Sequence, residues 1–288
     1  MQNMHDFMRE LMRWLFGPFL PSWRAKRGHP FQHFQCLTCG LRITTVLVAS
    51  LFLPAHAQTL RVAAAANLKL VLADLETQYR KQTGQKTEFS FGASVQLARQ
   101  IQQGLPVQLF ISADEEQVAW LAQAGLTLDA GQRYALGRLA LISPKGSGLP
   151  VGQGLEASLK ALKPGDKLAI ANPQLAPYGR AAQETVQQAG AWARVQKQLV
   201  LGDNIGQATQ FVLSGAAPLG ITAYSLTLAP EAADRLQVWP VPASLHAPLP
   251  QRLVLLRNAG PQAVAFRDFL LSAAARPVWL RHGYALPQ

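Results

Sequence analysis

The sequence predicts an α/β protein of two lobes, each a mainly parallel sheet flanked by helices. Three observations carry this. From residue 60 onward, apolar runs of strand length alternate with segments of helical periodicity, an order that implies parallel sheets with helices on both faces. Glycines follow several of the helical segments, at Gly84, Gly104, Gly125, Gly190 and Gly215, where a left-handed residue closes a helix. Two loop-rich breaks, "SPKGSGLPVGQG" at 143–154 and "WPVPASLHAPLP" at 239–250, enclose a stretch long enough for a lobe of its own. The chain would then cross between lobes twice, with lobe 1 formed by 58–140 plus 243–288 and lobe 2 by 141–242.

Strands are expected at 60–65, 86–91, 107–112, 138–143, 167–171, 218–222, 235–239 and 252–257. Helices are expected near 68–83, 95–103, 115–124, 155–162, 179–189, 206–214 and 262–282. Leu60-Arg61-Val62 reads as the first strand, and Leu68, Leu72 and Leu75 recur at helical spacing beyond "AAAAN". Asp114 and Gln117 in "SADEEQVAWL" have the spacing of a capping box.

Residues 41–53, "LRITTVLVASLFL", are followed by "PAHA". This is the apolar core and small-residue site of a secretory signal, predicting cleavage after Ala57 and an exported product beginning at Gln58. The run falls short of the roughly 20 apolar residues of a membrane span; a buried strand or an uncleaved anchor is the alternative. Residues 1–40 precede it without a globular pattern, longer than a whole signal peptide of about 15–30 residues. "FMRELMRWLFGPFL" has the makings of an amphipathic extension and is assigned no function.

Both cysteines, Cys36 and Cys39, fall in that N-terminal segment. A lone C-x-x-C is weak evidence for zinc, and from residue 58 onward there is neither disulfide nor thiol chemistry. The formal net charge of +11 becomes +7 for residues 58–288. That balance favours an anionic partner weakly. It does not argue for nucleic acid, because no Lys/Arg run or aromatic-basic module is present.

Open parallel sheets bind ligands beyond the carboxyl ends of their strands. Four strand-to-helix junctions are small, neutral and rich in hydrogen-bonding groups: Ala66-Asn67, Gly92-Ala93-Ser94, Pro177-Tyr178-Gly179 and Gly202-Asp203-Asn204-Ile205. Each opens a helix whose first N–H groups lack internal partners. One helix N-terminus carries about half a positive charge, so four together supply about two, a match for a small divalent oxyanion. The Asn67 amide and the Ser94 and Tyr178 hydroxyls would add side-chain donors. Taken singly, each has a plainer reading: Asn67 and Ser94 as N-caps, Tyr178 as a packed ring, "DNIGQ" as an ordinary turn.

Catalytic patterns are poor. Residues 58–288 hold two histidines, His246 and His282, neither in a metal-ligand spacing. The chain has no G-x-S-x-G turn and no phosphate loop. Asp114, Glu115 and Glu116 read as a solvated helix start.

The segments "VAAAANL", "FGASVQLARQIQQGLPVQLFISAD", "YALGRLALISPKG", "KLAIANPQLAPYGRAAQETVQQAG" and "APLGITAYS" resemble the periplasmic molybdate-binding proteins of ABC transporters, across nearly all of 58–288. The resemblance implies a two-lobed type II periplasmic binding fold with the ligand in the cleft between lobes. It implies dehydrated molybdate or tungstate, held as an oxyanion with no direct metal ligand. It also implies delivery to a membrane permease, a periplasmic monomer, no cofactor and no enzymatic activity.

Carried over by position, Asn67 fits the subgroup with asparagine after the alanines, and Ser94 matches the serine of the second junction. Tyr178 falls where that subgroup has a tyrosine, Ile205 matches an aliphatic residue donating its backbone N–H, and Ala66 is placed to give another. Members lacking that tyrosine often carry one near "PLGI"; here Ala223 takes that position and Tyr224 is displaced by one. Arg180 departs from the small residue often found there, and would either raise affinity or cap the cleft rim. A receptor for sulfate or another tetrahedral oxyanion, and an enzyme on the same architecture acting on an anionic substrate, are the alternatives.

Overall fold

The computed structural model describes residues 59–287. The export signal, the 1–40 extension, Cys36 and Cys39 lie outside the described residues.

Ten strands form two five-stranded sheets. They are β1 (Leu60–Ala65), β2 (Thr87–Gly92), β3 (Leu109–Ile111), β4 (Gln132–Gly137), β5 (Leu139–Pro144), β6 (Leu168–Ala171), β7 (Leu199–Gly202), β8 (Leu219–Ala223), β9 (Leu236–Pro240) and β10 (Leu249–Leu255). The first sheet has the order β2-β1-β3-β10-β4 and the second β7-β6-β8-β5-β9. The α-helices are α1 (Lys69–Thr83), α2 (Ser94–Gln102), α3 (Glu116–Gln123), α4 (Leu155–Ala161), α5 (Pro177–Gln188), α6 (Trp192–Val195), α7 (Ile205–Leu213), α8 (Tyr224–Thr227), α9 (Pro230–Arg235), α10 (Pro261–Leu271) and α11 (Arg276–Arg281). None of the described helices is long and apolar enough to cross a membrane.

The chain leaves the first sheet between Gly137 and Leu139 and returns through the proline-rich segment before Leu249. Both sheets are mixed. β1 runs parallel to β2 and β3, and β6 to β7 and β8. β10 is antiparallel to β3 and β4, and β5 is antiparallel to β8 and β9. The strand that enters each sheet from a crossing therefore runs against the parallel trio.

Two strands, three short helices (α6, α8 and α9) and one break differ from the sequence expectation. β4 has only half of its residues buried, so it lacks a clean apolar run. β7 is short and mostly half-buried. The expected helix at 262–282 is two helices, parted at 272–275. Pro277 stands in the first turn of α11, where its missing N–H is tolerated; within one continuous helix it would remove a hydrogen bond and clash with the preceding turn.

Both faces of β1 are buried. Val62 and Ala64 join one hydrophobic cluster and Ala63 another, with Leu97, Ile101 and Phe110. α1 contributes Val71, Leu72 and Leu75, all fully buried, each worth about 1.5–3 kcal/mol of transfer free energy. Tyr79 meets Phe266 of α10 edge-on at 5.0 Å between ring centres. The helix ends at Gly84 with φ of +72°, as its sequence position predicts.

The start of α3 is fixed by charge. The Asp114 carboxylate accepts from the Gln117 N–H at 3.1 Å, and the Asp114 N–H donates to the Ser112 hydroxyl rather than to Gln117, so only half of the predicted capping box forms. Next to it, Glu115 takes a two-pronged bond from Arg133 at 2.7 Å on each oxygen and bonds Arg252 from β10 at 2.9 Å. The Arg133 bond, then those of Arg252, hold the Glu115 carboxyl down at about 2, well under its usual 4.5. A depressed acid stabilises the fold above its unfolded value and loses that contribution as pH falls through its folded value. Because the group is partly solvated, the contribution is about 1–2 kcal/mol rather than the full shift. Urea unfolding of Glu115→Gln is expected to show that loss at neutral pH and far less near pH 2; an equal loss at both would contradict this role.

Candidate functional site

Four strand ends converge between the two sheets: β1 into the 3-10 turn Ala66–Leu68, β2 into α2, β6 into α5 and β7 into α7. Junctions of the first lobe touch those of the second. The Val95 N–H, at the start of α2, donates to Leu175 O before α5 at 3.3 Å. Asn67 Nδ2 lies 3.5 Å from Tyr178 Oη. A methyl group on Gly206, in the first turn of α7, would sit 3.8 Å from Ala66 Cβ.

All five residues expected at the site lie at these junctions. Asn67, Ser94, Tyr178 and Ile205 are buried, and Ala66 is half-buried. The plain capping role fits neither Ser94 nor Asn67. Ser94 is the first residue of α2 and Asn67 the second of its turn, and neither helix start has a side-chain cap. Ile205 opens α7 behind Asn204, whose side chain does cap the Gln207 N–H. Tyr178 follows Pro177 at the start of α5. Gly179 lets that turn pack against the end of β6, since a Cβ there would collide with Ala171 O.

The hydrogen bonds assign direction to the hydroxyl protons. Tyr178 Oη accepts from Gln251 Nε2 at 2.9 Å, and its other neighbour, Asn67 Nδ2 at 3.5 Å, offers no acceptor. Ser94 Oγ accepts from the Ala113 N–H at 3.0 Å. Among the described residues, neither hydroxyl proton has an acceptor. Burial first, then the neighbouring Tyr284, pushes the Tyr178 hydroxyl well above the ordinary range of a tyrosine, so it keeps its proton. Two buried donors without acceptors, set among helix N-termini, suit a ligand that can only accept.

Asn67 behaves differently. Its Nδ2 donates to Gln251 Oε1 at 3.1 Å and to Tyr284 Oη at 3.0 Å, while its Oδ1 has no partner. In this arrangement the side chain is a strut between the ends of β1, β10 and the C-terminal segment. Its amide hydrogens are engaged, and an acceptor-only ligand meets this turn through backbone N–H groups.

Sequence reasoning missed Gln251, Tyr134, Tyr284 and Ser225. The Tyr134 hydroxyl lies 2.9 Å from Ser112 O and 2.7 Å from Gln251 Oε1, which share its one proton. The Tyr284 and Ser225 hydroxyls both reach Asn67 O, at 2.8 and 3.0 Å. The one available signal was Gln251, an amide inside the apolar run "LPQRLVLL".

Arg180 is at the rim. Its guanidinium pairs across the lobes with Asp114 at 3.0 Å and Glu116 at 3.1 Å. Burial raises the Asp114 carboxyl, against the pull of the Gln117 N–H, Ser112 and Arg180. Tyr224 lies under the Arg138 guanidinium, 4.9 Å from its ring centre. A cavity of about 390 Å³, lined by Ala66, Lys69, Phe91, Asn204, Gly206 and Thr209 among others, opens beside the Ala66 junction.

The sequence matches the family model described as bacterial extracellular solute-binding protein over residues 60–285. It is 34% identical to molybdate-binding protein ModA of Rhodobacter capsulatus, covering 83% of this chain and 92% of that protein. It is 37% identical to molybdate-binding protein ModA of Azotobacter vinelandii, covering 81% and 92%. The fold superposes on the solved periplasmic molybdate-binding protein of Azotobacter vinelandii with a TM-score of 0.72 at 32% identity, covering 80% of this chain and all of that one. A two-lobed fold with a donor-lined junction, and these similarities along almost its whole described length, make this chain a member of the bacterial extracellular solute-binding protein family.

Proposed function

We propose that this protein is a periplasmic receptor that captures molybdate between its lobes and delivers it to the permease of an ABC transporter, with tungstate as a second ligand. The observation that carries the reading is the pair of buried hydroxyls, Tyr178 and Ser94, that accept from the protein and have no described protein acceptor for their own protons. The relatives named above supply the identity of the anion. In this reading the anion is held by those two hydroxyls and by backbone N–H groups at Ala66, Asn67 and Ile205. The protein acts as a monomer, without a cofactor, and does no chemistry on the ligand.

The physics of the site fits a dehydrated dianion. Helix N-termini and hydroxyls are fixed dipoles that offer donors without a counter-charge. Arg180, two residues beyond Tyr178, is matched by two carboxylates at the rim. Lobe closure around the anion then shifts the population to the form in which both halves of the donor set are together. Molybdate and sulfate have the same shape and charge, so the size of the enclosed space decides between them.

Isothermal titration calorimetry of residues 58–288 with molybdate, tungstate, sulfate and phosphate tests the reading. Molybdate and tungstate are expected to bind far more tightly than the other two. Sulfate binding equal to or tighter than molybdate would transfer the assignment to the sulfate receptor, and turnover of any bound ester or anion would favour the enzyme. Tyr178→Phe and Ser94→Ala each remove one donor to a charged group and are expected to cost about 1.5–3 kcal/mol, roughly 10- to 150-fold in Kd. Unchanged affinity in both would refute the site. The raised Tyr178 hydroxyl does not titrate below its ordinary value of 10.0, so affinity is expected to stay level between about pH 6 and pH 9. A steep fall toward high pH, measured by the same titrations, would place an ionising group in the site.

A further inference from the structure

We infer that Gln251 is a positioning residue of this site: its amide makes the Tyr178 hydroxyl accept on one side and so directs its proton to the anion. The inference rests on the oxyanion reading above.

Gln251 is fully buried on β10, where the pairing with β4 shifts register between Gln251 and Arg252. Such an irregularity re-aims a side chain. One end of the amide only donates and the other only accepts, and its neighbours decide which is which. Oε1 accepts from Asn67 Nδ2 at 3.1 Å and lies 2.7 Å from Tyr134 Oη, whose one proton it shares with Ser112 O. Asn67 is turned in its own right, because its Nδ2 also donates to Tyr284 Oη at 3.0 Å, and Tyr284 in turn donates to Asn67 O at 2.8 Å. Nε2 is left facing Tyr178 Oη at 2.9 Å. A hydroxyl that accepts there must send its single proton elsewhere.

Space for this contact is also built in. A Cβ on Gly137, the last residue of β4, would fall 2.6 Å from Gln251 Nε2 and closer still to Tyr178 Oη. The tyrosine comes from the second lobe, whereas Gln251 and Gly137 belong to the first. The hydroxyl is therefore oriented only while the lobes are together, which ties the direction of the proton to closure.

The test is molybdate titration of Gln251 variants in the full 58–288 chain, with thermal unfolding of each ligand-free variant in parallel. Gln251→Met keeps the shape and removes the amide. It is expected to weaken binding about 10-fold or more, the loss of a hydrogen bond to a charged ligand. Most of that loss is expected to vanish in the Tyr178→Phe background, because the amide acts through the hydroxyl. A loss of the same size in both backgrounds overturns the inference, as does no loss in either.

Gln251→Glu is nearly isosteric and gives a second readout. Its neutral carboxyl donates to Tyr178 as the amide does; its ionised form accepts, and competes with the anion for the same proton. Binding by this variant is expected to approach the native level at about pH 5.5 and to fall steeply toward pH 9, as a buried carboxyl ionises. The groups around the position are Tyr134, Tyr178 and Tyr284, all raised by burial, with Asp114 acting on Tyr134. The native chain carries the same set and serves as the control. Loss without pH dependence in Gln251→Glu counts against the inference. Native protein that fails to bind molybdate at all would instead remove the oxyanion reading on which the inference stands.

Discussion

A buried hydroxyl that already accepts a hydrogen bond has one proton to place, and the site depends on where Tyr178 places it. The bond from Gln251 Nε2 at 2.9 Å occupies one side of the oxygen, and its other neighbour, Asn67 Nδ2 at 3.5 Å, takes no proton. No described group takes the proton. A buried donor left unmade costs about 1–3 kcal/mol, so the closed arrangement is complete only with an acceptor in place. Ser94 repeats the pattern from the first lobe, accepting from the Ala113 N–H and donating to no described group. Each lobe thus brings a buried hydroxyl that accepts from the protein and has no described acceptor for its own proton.

The same constraint explains the surroundings. A cationic side chain in this space would bind oxyanions more strongly but with less regard to size, and would bring its own desolvation cost. Fixed dipoles need no counter-ion and no proton exchange. The charged groups stand outside the donor set instead: Arg180 with Asp114 and Glu116 at the rim, and Glu115 with Arg133 and Arg252 behind α3. The rim cluster joins the lobes, and the cluster behind α3 stabilises the first lobe by itself. Tyr134, Tyr178 and Tyr284 are all held in their protonated form by burial, so the network keeps one pattern of donors through the pH range around neutrality.

Much of this was legible from the sequence. Alternating apolar runs and helix-closing glycines gave the two-sheet α/β plan, because those patterns follow from local backbone chemistry. The four junctions were legible because small residues and neutral donors at strand ends are unusual together. The mixed sheets were not, since the direction of β5 and β10 is decided by where the chain crosses between lobes. β4 was hidden by its half-exposed residues. Asn67 was read as a donor to the anion, whereas the structure shows its amide hydrogens engaged by Gln251 and Tyr284. Those partners lie 184 and 217 residues away along the chain, and no local pattern connects them. "AAAAN" is thus a close-packed turn whose asparagine ties three distant segments together beside the site.

The central claim is that two hydroxyl protons, from Tyr178 and Ser94, meet the anion directly. A crystal of residues 58–288 soaked with tungstate measures this most directly, because the heavy atom fixes the ligand position unambiguously. The account predicts the tungsten between the ends of β1, β2, β6 and β7, with Tyr178 Oη and Ser94 Oγ at about 2.5–3.0 Å from its oxygens, the range of O–H donors to a charged acceptor. Tungstate bound at Arg180 or elsewhere on the surface, with either hydroxyl turned to a protein acceptor, would contradict it.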